Sequence, residues 1–327
     1  MRSSPTKILI TGATGFIGRT LVARLQADGG SVDLRLPVRD RRRAERLGLP
    51  ADRLTETTFA DVDGLRAAAD AVDLVVHLAG AVRAWQHQDM EFANVVAVRN
   101  LLAAVPATAR VLLVSSLAAV GPSVDGAGTD APPDVCRPCS HYGDSKRHGE
   151  QELLADAARR GRRWLVLRPC LVYGAGDGAT ALLFRQACGL VCPVPRRPRP
   201  LSTIDVRDVC AAIEAAVARP EVHGAFLPLV GEATDTHGLM RALAASCGRR
   251  ARLLPVPDTV IAAAGGLTGG LARLRRRASY FSSDKAREIV APGWVGDPEP
   301  ARRTLGFAAR IPLRDGLASA ASALGRI

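Results

Sequence analysis

The apolar run Lys7-Ile8-Leu9-Ile10 is strand-like, and it leads straight into Thr11-Gly12-Ala13-Thr14-Gly15-Phe16-Ile17-Gly18. Leu21, Val22 and Leu25 then continue at helical spacing. A strand, a glycine turn and a helix in that order gather unpaired backbone N–H groups and a positive dipole end at one point, where a pyrophosphate can sit. Glycine is needed there because a side chain would hold ligand away from backbone and helix away from strand. The spacing is G-x-x-G-x-x-G, and Gly12, Thr14, Gly15, Phe16, Ile17 and Gly18 are the candidate contacts. Glycine turns also occur where nothing binds, so the dinucleotide reading needs support elsewhere in the chain.

Strand-like and helix-like runs alternate through the first half. The expected strands are Val32 to Val38, Thr57 to Ala60, Val72 to His77, Arg110 to Ser115 and Trp164 to Arg168. The expected helices include Arg41 to Leu47, Leu65 to Ala69, Glu91 to Val105 and Ser145 to Arg160. Such alternation means βαβ units and an α/β fold with a doubly wound parallel sheet, whose ligands lie beyond the carboxyl ends of the strands. Past Tyr173 the rhythm changes. Leu190 to Pro200, rich in proline and arginine, reads as a rigid exposed loop, and Leu201 to Ile204 and Ala225 to Leu229 as further strands for the sheet. The expected division is a dinucleotide-binding domain over 1–178, with 201–230 returning to it. Residues 179–200 and 231–327 would form a smaller, mainly helical substrate-binding domain. The Ala-rich segment Val260 to Leu274, closed by Arg275-Arg276-Arg277, could meet a membrane face or line a greasy pocket; packing on the sheet domain is the expectation adopted.

A chain of 327 residues with 47% hydrophobic content can bury a full core. No apolar run reaches membrane-spanning length and the N-terminus does not resemble a signal peptide, so a cytoplasmic protein without a membrane partner is expected. The formal charge of +12 comes from scattered arginines, and aromatics are 4%, which argues against nucleic acid and for a solvated, arginine-biased surface that would suit a phosphate-bearing cofactor and an anionic substrate or carrier. Seven cysteines make no disulfide framework. Cys136-x-x-Cys139 with His141 is half of a zinc pattern lacking its second half, so no metal is expected.

Two further stretches carry chemistry. Where the second strand ends, Arg39 could fork onto a 2′-phosphate, which favours NADP(H) over NAD(H); an exposed arginine in an Arg-rich chain is the plainer alternative. Tyr142-Gly143-Asp144-Ser145-Lys146 puts a phenol and an ammonium at i and i+4 on one helix face. With three tyrosines and three lysines in the chain, about 0.03 such pairs are expected by chance. An ammonium beside a phenol is expected to lower its pKa, so that Tyr142 can exchange a proton with a carbonyl or carbinol oxygen. Ser116, at a strand end beside Ser115, can hydrogen-bond the same oxygen.

With these residues in place, the chain resembles an extended short-chain dehydrogenase/reductase, the group that includes NAD(P)-dependent sugar epimerases, dehydratases and hydroxysteroid- or flavanone-type reductases. The likeness runs over nearly the whole chain. It implies a Rossmann domain, catalysis by Ser116, Tyr142 and Lys146, and further cofactor contacts from Ser115, Tyr142 and Lys146. It also implies that Asp61 and Val62 lie beside the adenine, that Leu78, Ala79 and Gly80 after His77 lie along the cofactor, and that the backbone around Pro169 and Val172 in Arg168-Pro169-Cys170-Leu171-Val172-Tyr173-Gly174 meets the nicotinamide carboxamide. Asn94 and Asn100-Leu101-Leu102 match the family's N-V-x-G-T-x-N-L helix, although Ala97 and Val98 replace Gly and Thr. Ser202 to Asp208, Leu305-Gly306-Phe307 and Leu313 to Leu317 match its later segments. Leu117-Ala118 stands where sugar dehydratases carry an Asp-Glu pair, which argues against elimination of water.

Three functions follow from this reading. The first is an NAD(P)(H)-dependent carbonyl reductase or alcohol dehydrogenase using Ser-Tyr-Lys catalysis, with NADP favoured and NAD the alternative cofactor. The second is a nucleotide-sugar epimerase with bound NAD. The third is a non-catalytic dinucleotide-binding protein. A small-molecule substrate, open to one bearing phosphate, and a homodimer are the expected associations.

Overall fold

The computed structural model describes residues 6–27, 32–84, 86–274, 279 and 281–325. The chain begins β1 (Thr6–Thr11), α1 (Phe16–Ala27), β2 (Val32–Val38), α2 (Arg41–Arg46), β3 (Leu54–Glu56), α3 (Val62–Ala68) and β4 (Leu74–His77). It continues through α4 (His87–Glu91), α5 (Ala97–Ala104), β5 (Arg110–Val114), α6 (His141–Arg160) and β6 (Trp164–Pro169). The second half holds β7 (Leu171–Tyr173), α7 (Gly178–Ala187), β8 (Cys192–Pro195), β9 (Pro200–Asp205), α8 (Val206–Val217), β10 (Ala225–Leu229), β11 (Glu232–Asp235) and α9 (Thr236–Ser246). It ends with β12 (Leu253–Val256), α10 (Asp258–Leu274), α11 (Ser283–Val290), α12 (Glu299–Leu305) and α13 (Leu313–Leu324).

Among the described residues, the main sheet has seven parallel strands in the order β3-β2-β1-β4-β5-β6-β10. Chain order reverses between β1 and β4, and that is where ligands bind in such sheets. Alternate side chains of each central strand enter opposite cores. Ile8, Ile10, Val76 and Leu112 face the core that contains α1 and α8. Leu9, Val75, Val111 and Val166 face the one built with Leu101 and Leu153. Covered on both sides, these strands read as continuous apolar runs.

Several expectations shift. The third strand is Leu54–Glu56 rather than Thr57 to Ala60, because Leu54 to Glu56 pair with Leu36 to Val38; Thr57 supplies only a last bond to Val38 O before the chain turns. The helix expected over Glu91 to Val105 is interrupted by a π turn at Phe92–Val96. Ala97 and Val98, where the family pattern has Gly and Thr, are fully packed. Of the strands expected to return to the sheet, Ala225–Leu229 pairs in parallel with β6, but Pro200–Asp205 does not join. It pairs instead with β7 and β11 in a separate sheet of three. The proline-rich loop contains a strand, β8, paired with β12 alone. Its prolines are tolerated because each strand of that pair is an edge. Finally, Val260 to Leu274 packs on α11, with Gly265 against Ala286 and Ser282, and its Gly269 and Ala272 share a cleft with Val82, Met90 and Tyr142.

Candidate active site

At the carboxyl end of β1 the three glycines have three different reasons to be glycine. Gly12 has φ +73°, and a Cβ there would lie 2.6 Å from Ala79 N. A Cβ on Gly18 would lie 2.2 Å from Gly12 O, so α1 reaches the turn only without a side chain. Gly15 is exposed, and its Cβ would meet only Gly12 O, at 3.1 Å, a contact that a small shift relieves. Its bareness leaves the top of the turn open. Gly15→Ala should therefore keep an unfolding midpoint close to wild type while weakening NAD(P)H binding about tenfold or more. Gly18→Ala should lose about 1–3 kcal/mol of stability through overpacking. Fluorescence titration with NADPH and urea unfolding of both variants check this, and equal stability losses would contradict the distinction. Thr11 locks the turn to β4: its hydroxyl shares a 2.7 Å hydrogen bond with His77 Nδ1 and accepts one of 3.3 Å from Ala79 N. Burial holds His77 neutral, with its pKa lowered to about 3.

Gly80 links this turn to α6, since a Cβ there would stand 3.6 Å from Lys146 Nζ and 2.7 Å from Asn94 Oδ1. The glycine turn and Lys146 thus share one end of the sheet. Lys146 is buried and donates to Val114 O at 2.8 Å. Burial lowers its pKa to about 8, against the pull of Glu150. Ser140 caps α6 by accepting from Gly143 N, and the helix starts early enough to hold Tyr142 in its first turn. Ser116, just past β5, hydrogen-bonds the Tyr142 phenol, and burial pushes that phenol up to about 12. This corrects the expected lowering: Lys146 is not among the groups acting on the phenol, desolvation dominates, and the Glu288 carboxylate adds to the rise. Ser115 is buried, with its hydroxyl unpartnered among the described residues.

Asp284 of α11 reaches back to the start of α6, accepting from His141 N at 2.6 Å and Tyr142 N at 3.2 Å. Ser140 donates to Glu288 at 2.6 Å. Between these helices lies a cleft lined by Tyr142, Met90, Val82, Glu288, Gly269 and Ala272, among others. It runs from Tyr142 to α10.

The outlying candidates follow the carboxyl ends of β2, β3, β4 and β6, apart from Val172 in β7. Arg39 is exposed and makes no hydrogen bond or ion pair within the described residues, while the neighbouring Asp40 is committed to capping α2 through Arg43 N. Asp61 caps α3 by accepting from Gly64 N at 2.9 Å, and Val62 follows it, half-buried. Leu78 and Ala79 border Gly12. Pro169 ends β6 and Val172 lies in β7. Gly174, just beyond, packs against Phe16, where a Cβ would come within 3.1 Å of the ring. The open face at Gly15, the unpartnered Ser115 hydroxyl and the uncommitted Arg39 fit a dinucleotide laid across the sheet edge.

Residues 8–225 match the model of the NAD dependent epimerase/dehydratase family. The chain belongs to that family, the extended short-chain dehydrogenase/reductases. It is 32% identical to the ceramide reductase of Caulobacter vibrioides over 94% of this chain and 91% of that one. It is 27% identical to the sterol demethylase protein B of Methylococcus capsulatus over 91% and 92%. Among solved structures, the UDP-glucuronic acid 4-epimerase of Bacillus cereus shares the fold with a TM-score of 0.76, at 18% identity, covering 98% of this chain and 99% of that one. The extended dehydrogenase/reductases are NAD(P)-dependent reductases and epimerases, and this chain is an enzyme of that kind.

Within this family member, sequence reasoning singled out Asn94 only as part of a helix pattern, and the structure gives it a position at the site. In the π turn its amide brackets Ala81, donating to the carbonyl and accepting from the N–H at 2.9 Å each, and it donates to Ser145 at 2.8 Å. A π turn widens the helix by one residue and often marks a functional site. Asp284 and Glu288 carried no sequence signal, because their partners lie about 140 residues away. Cys136 is structural: it is buried beside Arg168, with its thiol on Pro132 O.

Proposed function

We propose that this enzyme is an NADP(H)-dependent carbonyl reductase acting on an apolar, lipid-like ketone. The observation that carries the reading is a phenol at Tyr142 held protonated at neutral pH and hydrogen-bonded by Ser116. Such a group has a proton to give, which suits reduction of a carbonyl. The cofactor would supply the hydride to the carbonyl carbon, leaving NADP⁺ and an alcohol. Tyr142 would give its proton to the carbonyl oxygen, and Ser116 would hold that oxygen in line. Lys146, mostly protonated near pH 7 with a pKa of about 8, would hold the nicotinamide ribose. Leu117-Ala118 offers no carboxylate for elimination, and the likeness to a ceramide reductase over most of both chains supports an apolar substrate.

Arg39 supports NADP(H) because its guanidinium is uncommitted while Asp40 is engaged as a helix cap. Arg39→Ala should weaken NADPH binding roughly 10- to 100-fold, the loss of about 1.5–3 kcal/mol for a charged hydrogen bond, and leave NADH binding within about twofold. Equal weakening of both would refute the preference. For the reaction itself, absorbance at 340 nm should fall when enzyme and NADPH meet a long-chain 3-ketone. Epimerisation of a UDP-sugar with no net change in NADPH would overturn the proposal in favour of the epimerase reading.

A further inference from the structure

The seven cysteines are free thiols in the structure, and two of them meet. Cys188 is the residue on which α7 ends, and Cys247 is the residue on which α9 ends. Each closes the last turn of its own helix, Cys188 N donating to Phe184 O at 2.9 Å and Cys247 N to Ala244 O at 3.1 Å. The two thiols are hydrogen-bonded to one another. Packing on every side holds them together. Phe184 and Ala187 of α7 share one buried cluster with Leu243 and Ala244 of α9. Arg249, just past Cys247, donates from Nη1 to Cys188 O at 3.0 Å and so ties one helix end to the other. The chain leaving α7 becomes β8 and the chain leaving α9 becomes β12, and these two strands pair with each other in parallel. That pairing begins where Cys192 N donates to Arg252 O at 2.8 Å. Cys188 and Cys247 are half-buried, within reach of a small reagent, whereas Cys192 is fully buried.

We propose that Cys188 and Cys247 are an oxidation site, closed to a disulfide by a low-molecular-weight disulfide such as oxidised glutathione. One protein thiolate attacks a sulfur of oxidised glutathione, whose S–S bond breaks, giving a mixed disulfide and one glutathione thiolate. The other protein thiolate then attacks the protein sulfur of that mixed disulfide. The Cys188–Cys247 bond forms, the second glutathione leaves as thiolate, and the two protons shed by the protein thiols end on the two glutathiones. Two protein thiols are oxidised and one glutathione disulfide is reduced. The bond would join the ends of α7 and α9 and close a loop of roughly 60 residues, which stabilises chiefly by constraining the unfolded chain. Burial, and then the neighbouring Cys247 thiol, push the Cys188 thiol above the usual range. Its thiolate is therefore scarce near neutral pH, and closure should quicken as the pH rises. The site adds one pair to a chain whose cysteines make no framework, and it does not depend on the carbonyl-reductase reading, because closure requires no turnover.

The test is incubation of the full, folded chain with excess oxidised glutathione, followed by alkylation of the remaining thiols, digestion and mass spectrometry. Wild type should lose two alkylatable thiols and yield one peptide pair joined through Cys188 and Cys247. Closure at about pH 6.5 should be roughly tenfold or more slower than at about pH 8.5. The melting temperature should rise by about 3 °C or more on closure and return when dithiothreitol reopens the bond. Cys247→Ser should show neither the joined peptides nor the rise, while Cys192→Ala should close as wild type does. If Cys247→Ser folds poorly, the peptide map of the wild-type chain decides alone. Glutathione left on Cys188 without a bridge, a bridge from Cys188 to Cys192, or full retention of both thiols would each overturn the proposal.

Discussion

Tyr142→Phe is expected to lower turnover by roughly 10²- to 10⁴-fold, the range for loss of a positioned proton donor. NADPH affinity should stay within about twofold, because the ring is kept and the substitution removes only the hydroxyl that Ser116 holds. Steady-state rates and fluorescence titration on the same preparation check both halves. Turnover within about threefold of wild type would remove Tyr142 from the chemistry. Ser116→Ala serves as the companion: it frees the phenol of its hydrogen bond without removing the proton, so its loss should be smaller. Since that bond lowers the phenol's pKa, the variant's phenol should titrate higher still.

Glu150→Ala is expected to cost about 3–5 kcal/mol of stability, the loss for breaking a buried ion pair from one side. Arg168 and Glu150 are both fully buried, joined by Nε–Oε1 at 3.0 Å and Nη2–Oε2 at 2.6 Å. Arg168 also donates to Thr129 O and Ala131 O and lies over the Phe226 ring. Without Glu150 those contacts remain, but the guanidinium keeps a charge with no counterion and no water. Against a typical total of about 5–15 kcal/mol the loss is severe, and urea unfolding measures it directly. A loss under 1 kcal/mol would mean that water or another acceptor reaches Arg168. The variant carries a second signature. Glu150 raises the Lys146 pKa, so its removal should move that lysine below its wild-type value of about 8 and bring its deprotonation closer to neutral pH.

The legible part of this protein was what adjacent residues encode. The glycine turn, the apolar runs and the one-turn spacing of Tyr142 and Lys146 are local patterns with local causes, and they located one end of the sheet. What stayed hidden depends on partners far along the chain. Asn94 looks like any helical asparagine until the π turn aims its amide at Ala81 and Ser145. Nothing around Asp284 announces that it ends a helix 143 residues earlier. The Cys192–Pro195 strand was masked by its own prolines, which only a two-stranded edge pair accommodates. The direction of the phenol's shift was misjudged because the neighbouring lysine could be read from spacing, whereas depth of burial could not.

The contact from Asp284 to the first turn of α6 also has a bearing on biosynthesis. A ribosome makes the sheet, the glycine turn and the whole of α6 well before residue 284 emerges. Until then His141 N and Tyr142 N lack their carboxylate acceptor, and Tyr142 sits on an unfinished helix end. The first turn of α6 is therefore completed only once about nine-tenths of the chain has been translated. A fragment ending before α11 would carry Ser116, Tyr142 and Lys146 and still lack the carboxylate that caps His141 N and Tyr142 N.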